Sequence, residues 1–428
     1  MRWLSMIVES SIWTREFRLD IRPITRVVRD RPEAVILGIG VLLRLIVYLS
    51  NRSMWLDELS LAGNIVGKPV LDFSESLTSD QLAPFGFLII QRALVRILGD
   101  SNFAMRLVPF IAGILALYLF SLLAPRVLPR RAALVALVLF AFSDDLIYYS
   151  SEMKPYSVDL AVGLAISLMA LNALGRPASA RPASLLAASA AMAPWWSFSS
   201  AFVVAGCGAA LILDSLVSGR YRRASIWATL GLGWLAIFYV SYLSSRALLS
   251  PYTTMYRFWD FAFLPNHSTV GVNHALEIVR TDVLKATGIL LEICVNPLNL
   301  VAPFGPKVGV VFPLVLLQVG ELSMARRSWA IYLLLVLPIA LALVAAGYKK
   351  YPFHGRLMLE LVPALYLLIA EGTEWLGRRD PTRTGLLYKA LLIFLLSYPC
   401  LAASYNATEK RPRDFNRHGD LHRNLFVE

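Results

Sequence analysis

Residues 84–98 read Pro84-Phe85-Gly86-Phe87-Leu88-Ile89-Ile90-Gln91-Arg92-Ala93-Leu94-Val95-Arg96-Ile97-Leu98, and whether they cross a membrane decides the topology of the whole chain. The stretch is shorter than the roughly 17–25 apolar residues that a crossing helix needs. Gln91, Arg92 and Arg96 form a polar stripe at helical spacing, which suits a helix lying in the interface. Arginine clusters farther along test this choice. If 84–98 stays on one side, the clusters Arg126/Arg130/Arg131, Arg176/Arg181, Arg220/Arg222/Arg223, Arg326/Arg327 and Arg378/Arg379/Arg383 all fall on one face of the membrane. That is the face of the basic segment holding Arg15, Arg18, Arg22, Arg26, Arg29 and Arg31, as the positive-inside rule requires. If 84–98 crossed, every cluster would be translocated.

The rest of the chain supports a membrane protein. Of 428 residues, 57% are hydrophobic and 16% charged, and the mean hydropathy is +0.60. This is outside the range of ordinary soluble domains. Apolar runs predict eleven spanning helices near 33–50, 101–124, 132–149, 155–174, 184–198, 201–217, 225–245, 298–322, 329–347, 357–376 and 386–405. The expected architecture is therefore an all-α polytopic bundle. A basic segment 1–32 is cytoplasmic, a transmembrane unit spans 33–405, and a short extracytoplasmic tail covers 406–428. The outer face carries two large loops, 51–100 and 246–297. No small-x-small site follows the first apolar run, so it is expected to remain as a signal anchor.

The net charge of +12 would suggest nucleic acid in a soluble protein; here it reports orientation and contact with anionic lipid. Cys207, Cys294 and Cys400 show neither disulfide nor metal-ligand spacing, and read as structural. Walker, dinucleotide-binding, nucleophile-elbow and His-Glu-x-x-His motifs are absent from the sequence, as is an Asp-x-Asp pair for a nucleotide sugar.

Chemistry gathers at the outer face. Met54-Trp55-Leu56-Asp57-Glu58 sets two carboxylates just beyond the first helix, where unpaired acids are costly. One can act as a general base on an acceptor hydroxyl; alternatively both sit in water and pair with Arg52 or Lys68. The turn Tyr348-Lys349-Lys350-Tyr351-Pro352-Phe353-His354-Gly355-Arg356 puts three cations and a histidine where positive charge is disfavoured. They suit an anion such as a lipid phosphate, or snorkelling contact with head groups. Arg106, opening the second spanning helix, can reach a phosphate or neutralise an acid such as Asp100. Glu152 and Lys154, in Tyr149-Ser150-Ser151-Glu152-Met153-Lys154-Pro155-Tyr156, line a polar cavity or pair at the surface. Arg44, inside the first helix, reads as structural. The loop 246–297 adds Tyr252, Tyr256, Arg257, Phe258, Trp259, Asp260, His267 and Asn273, which suit a sugar or an interfacial aromatic belt.

Taken in order, these segments resemble the lipid-donor glycosyltransferases of GT-C type, and within them the bacterial branch related to protein O-mannosyltransferases and the lipid A aminoarabinose transferase. The resemblance runs from about residue 35 to 376, through Trp55-Leu56-Asp57-Glu58, Gln81-Leu82-Ala83-Pro84-Phe85-Gly86-Phe87-Leu88, Gly99-Asp100-Ser101-Asn102-Phe103-Ala104-Met105-Arg106, Tyr149–Tyr156 and Tyr351-Pro352-Phe353-His354-Gly355-Arg356. It implies a GT-C-like bundle with juxtamembrane helices in the first loop and an inverting transfer from a polyprenyl-phosphate sugar to a glycan, lipid or protein acceptor. It also implies Asp57 as the base beside Glu58, and Arg106, Lys349, Lys350, His354 and Arg356 as ligands of the lipid phosphate. Glu152, Lys154, Tyr351 and Arg257 would line the substrate cavity. A divalent cation is compatible but not demanded, and no metal ligand is assigned. The expected location is a bacterial cytoplasmic membrane with the active face toward the periplasm. Two other readings stay open: a polymerase or ligase using lipid-linked saccharides, and a transporter or flippase of sugar lipids.

Overall fold

The computed structural model describes residues 30–70, 73, 77–79, 81–176, 181–245, 257–263, 306–382 and 385–408. The expectations for segment 1–29, most of the loop 246–297, the start of helix 298–322 and the tail beyond 408 lie outside these residues. So do Cys294, His267, His274, His418 and His422.

The described elements are helical throughout: α1 Pro32–Leu49, α2 Leu56–Gly67, α3 Phe85–Leu98, α4 Asn102–Val127, α5 Arg130–Ala141, α6 Asp144–Tyr149, α7 Tyr156–Ala173, α8 Arg181–Met192, α9 Ser200–Val217, α10 Tyr221–Ser245, α11 Pro306–Arg327, α12 Trp329–Gly347, α13 Val362–Gly377 and α14 Leu386–Thr408. Short 3-10 turns occupy Ala193–Trp195, Asp260–Ala262 and Gly355–Leu361. Among the described residues, α1, α4, α7, α9, α10, α12 and α14 are long and apolar enough to cross a membrane.

The other predicted spans take different forms. The run 132–149 is two helices, α5 and α6, parted at Phe142 and Ser143. Ser143-Asp144-Asp145 starts the second, acidic in its first turn as a helix dipole favours. At the break, the Arg44 guanidinium donates to the carbonyls of Ala141 at 3.2 Å and Phe140 at 3.5 Å, and to Gly40 in its own helix at 3.0 Å. Arg44 is fully buried, so this intrahelical charge satisfies a helix end inside the bundle. The run 184–198 is α8 followed by a 3-10 turn, and 357–376 begins as the 3-10 segment Gly355–Leu361 before α13.

Packing relies on small residues, which let backbones approach where lipid offers no hydrophobic drive between helices. Gly320 of α11 faces the Leu368 carbonyl of α13, and Gly372 faces the Leu316 carbonyl; a methyl at either would run into backbone. A methyl on Gly206 of α9 would meet the Pro338 ring of α12 at 2.6 Å. One on Gly113 of α4 would stand 2.5 Å from Cβ of Ser150. That last approach presses the turn 150–155 against α4, which sets up the site below.

α3 is a helix with its apolar residues Phe87 and Leu88 buried. Of its polar stripe, Gln91 and Arg92 face protein and Arg96 is exposed. Gln91 Nε2 donates to the Met105 carbonyl at 2.9 Å, and Arg92 Nη1 donates to the Ile65 and Val66 carbonyls at the end of α2, each at 2.7 Å. α3 thereby clamps α2 to the base of α4.

Candidate active site

The two adjacent acids occupy the first turn of α2 and meet different partners. Trp55 is the N-cap, and Glu58, three residues on, accepts the Trp55 N–H at 3.0 Å, the reaching-back half of a capping box. Glu58 also accepts the Met153 N–H at 2.8 Å. Arg106 completes the set with a fork: Nε donates to Oε1 at 3.0 Å and Nη2 to Oε2 at 2.9 Å. The remaining Arg106 bonds go to the carbonyls of Arg52 at 2.6 Å and Ser53 at 3.3 Å. The pair is sealed, with side chains 3% and 1% exposed. Burial alone would push the Glu58 carboxyl up; the Arg106 fork and the two backbone N–H groups outweigh it and hold the group below its ordinary value. Glu58 is thus a charged rivet joining α2, α4 and the turn 150–155.

Asp57 turns the other way. Its Oδ2 accepts from Arg356 Nη2 at 2.9 Å across 299 positions of sequence, with the side chains 33% and 19% exposed. Arg356 follows Gly355, whose left-handed φ of 42° a side chain would resist, and so enters the 3-10 turn Gly355–Leu361. Its guanidinium lies 5.7 Å from the ring centroids of both Tyr156 and Trp259, within cation–π range.

The segment 257–263 closes over this point. The Phe353 N–H donates to the Ala262 carbonyl at 3.0 Å, Lys349 Nζ pairs with Asp260 at 3.1 Å, and the Trp259 and His354 rings lie 6.2 Å apart. Lys349 itself holds a left-handed φ of 53° in the turn after α12. Lys350 and Arg257 are exposed. Tyr351 donates to the Leu357 carbonyl at 2.8 Å and packs edge-on against Phe202.

Glu152 and Lys154 are both buried, which removes the reading of a surface pair. Lys154 Nζ donates to Gln81 Oε1, tying the turn to the segment before α3. Arg52 likewise faces inward: it donates to the Ser151 hydroxyl at 2.7 Å and carbonyl at 3.0 Å, and lies 4.0 Å from the Tyr148 ring. Among the described residues no three His, Cys, Asp or Glu side chains gather to hold a metal ion, so the divalent cation allowed by the sequence finds no such ligand set there.

The geometry therefore unites Asp57, Arg356, Tyr156, Trp259 and the 348–356 turn. Arg106 it commits to Glu58, 48 positions earlier. Missed in the sequence were Tyr156 and Trp259 as aromatic neighbours of Arg356, and the locking role of Glu58. The spacing of Trp55 and Glu58 carried a signal for the latter, because a Glu at the third helical position commonly reaches back to the N-cap N–H.

No protein-family model and no curated protein matches the chain. Solved structures do. The archaeal oligosaccharyltransferase AglB of Archaeoglobus fulgidus, in complex with an inhibitory peptide and a dolichol-phosphate, is similar over 90% of this chain and 57% of its own, with a TM-score of 0.52 and 14% identity. The apo form of the Archaeoglobus fulgidus oligosaccharyltransferase gives a TM-score of 0.55 at 12% identity, over 89% of this chain and 57% of its own. ArnT from Cupriavidus metallidurans bound to undecaprenyl phosphate gives 0.50 at 13% identity, over 87% and 71%. The chain spans little more than half the length of the archaeal enzymes. At such identities the likeness is one of fold alone.

Proposed function

We propose, from the likeness of fold to these structures and the sequence resemblance to GT-C glycosyltransferases, that the chain moves a sugar from a polyprenyl-phosphate donor to an acceptor hydroxyl at the outer face of a membrane, with inversion. The observation that carries this reading is the 2.9 Å pairing of Asp57 with Arg356. It joins a carboxylate able to take a proton and a guanidinium able to hold a phosphate at one partly open point. That two solved structures of this fold contain dolichol-phosphate and undecaprenyl phosphate supports a lipid-phosphate donor.

In the proposed reaction Asp57 takes the proton of the acceptor hydroxyl while its oxygen attacks the anomeric carbon. The bond from that carbon to the phosphate oxygen breaks, and the polyprenyl phosphate leaves with one more negative charge. Arg356, with Lys349, Lys350 and His354 on the same turn, stabilises that charge. Glu58 and Arg106 serve as positioning residues that fix the first turn of α2, so Arg106 acts through Glu58. Glu152, Lys154 and Tyr351 shape the cavity wall. The eleven-span topology, with the N-terminus cytoplasmic, the C-terminus outside and the site facing the periplasm of a bacterial cell, belongs to this proposal. So do the division into segments 1–32, 33–405 and 406–428, and a glycan, lipid or protein as acceptor.

The test is turnover in liposomes with a radiolabelled polyprenyl-phosphate hexose and an envelope extract as acceptor. Time-dependent release of polyprenyl phosphate by the wild type, lost in Asp57→Asn, is expected. Movement of chemically unchanged sugar lipid between leaflets by both proteins would replace this reading with that of a flippase.

A further inference from the structure

The acids Asp57 and Glu58 are neighbours in sequence, yet their ion pairs are built for different ends. Glu58 makes four hydrogen bonds, two from the Arg106 fork, behind side chains that are 3% and 1% exposed. Desolvated, bidentate pairs of this kind are costly to break and hold one geometry. Between Asp57 and Arg356 the ion pair joins Nη2 to Oδ2 at 2.9 Å, between groups 33% and 19% exposed. A pair open to solvent contributes little stability and exchanges partners readily.

Arg356 is also held by something other than its anion. The Tyr156 and Trp259 rings, each 5.7 Å away, favour the cation whichever anion it faces. Its long side chain can therefore change anions while keeping its aromatic neighbours. A sugar-linked lipid phosphate is a single-charged diester that, like a carboxylate, presents two charged oxygens to a guanidinium fork, and the monoester released after transfer carries more charge still. A guanidinium beside a carboxylate favours its charged form, which makes it a weaker base while the contact lasts.

We infer that Arg356 is an exchangeable counter-ion, pairing with Asp57 while the site is empty and passing to the lipid phosphate when the donor arrives. Asp57 thereby becomes the stronger base once a donor is in place. This inference rests on the proposed reading of Arg356 as a phosphate ligand. It adds that donor binding and activation of the base are one event. The empty protein then keeps its base weakened, and an acceptor arriving first meets a less basic carboxylate.

The experiment measures binding of undecaprenyl phosphate, without sugar or acceptor, to the full chain in nanodiscs. Wild type, Asp57→Asn, Arg356→Ala, the double variant and Arg356→Lys are compared, with thermal unfolding to confirm that each is folded. Arg356→Ala should weaken binding by about tenfold, the equivalent of roughly 1.4 kcal/mol, and Arg356→Lys by less. Asp57→Asn should tighten binding several-fold, because the phosphate no longer competes for Arg356. That gain should largely vanish in the Arg356→Ala background. If Asp57→Asn leaves affinity unchanged or weaker while Arg356→Ala weakens it, the exchange is wrong and the phosphate site stands. An equal gain in both backgrounds would reduce the effect to direct repulsion and also overturn the exchange. If neither Arg356 variant alters binding, the phosphate reading itself falls. Should Arg356→Ala fail to fold, Arg356→Lys with and without Asp57→Asn supplies the same comparison.

Discussion

Arg106 grips both carboxylate oxygens of Glu58 across 48 positions, and that fork fixes the first turn of α2 against α4. Removing one partner leaves the other charge buried without its counter-ion. Arg106→Met or Glu58→Ala should therefore cost about 3–5 kcal/mol. Thermal unfolding in detergent measures the loss, and a near-wild-type melting point for either variant would contradict the locking role.

The same pair makes the protein acid-labile in a defined direction. The folded state holds the Glu58 carboxyl below its ordinary value, so its contribution is fully present above the unfolded value of about 4.3. It is lost as pH falls through the lower folded value. Stability measured from neutral pH downward should drop through this window in wild type. In Glu58→Gln the drop should be shallower.

Asp57→Asn keeps the size of the side chain and removes its ability to take a proton. We expect turnover to fall by about 10²- to 10⁴-fold, the usual contribution of a general base. Thermal stability should change little, since the pair with Arg356 is partly exposed. A variant that turns over normally would place the base elsewhere.

Arg44→Met should separate structure from chemistry. It removes the guanidinium donors from the end of α5, where Phe140 keeps the Ser143 N–H at 3.4 Å, at about 1–3 kcal/mol for the Ala141 carbonyl left buried without that donor. Unfolding should come earlier, while the folded fraction binds undecaprenyl phosphate as wild type does. Weaker lipid binding by correctly folded protein would assign Arg44 a second role.

Gly372→Val probes the seam between α11 and α13. Its side chain would run into the Leu316 carbonyl, and the helices must part. Lower yield of monodisperse protein and a depressed melting point are expected; an unchanged melting point would show that the seam yields without cost.

Much of the fold was legible because a bilayer imposes length and polarity on each element. The seven long apolar helices fall within a few residues of their predicted runs, and residues 85–98 form the short helix that their spacing predicted. Hydropathy hid the break at Phe142-Ser143, where an apolar run contains a helix end that Arg44 supports from α1. At the site, sequence placed Asp57 and Glu58 at the right end of α1 but gave them one fate. Consecutive helical residues point about 100° apart, so one faces Arg106 inside the bundle and the other faces Arg356 at its edge. No local pattern reports either partner, since each comes from elsewhere in the chain. Arg106 was visible as a cation near the outer face; only the fold reveals that Glu58 consumes it.

The most direct measurement is native mass spectrometry of the detergent-purified protein, comparing wild type, Arg356→Ala and Asp57→Asn after addition of a polyprenyl-phosphate sugar. The account predicts a retained polyprenyl-phosphate lipid in the wild type, a weakened complex in Arg356→Ala, and a complex kept in Asp57→Asn with its sugar still attached. Only ordinary phospholipid in all three would contradict it.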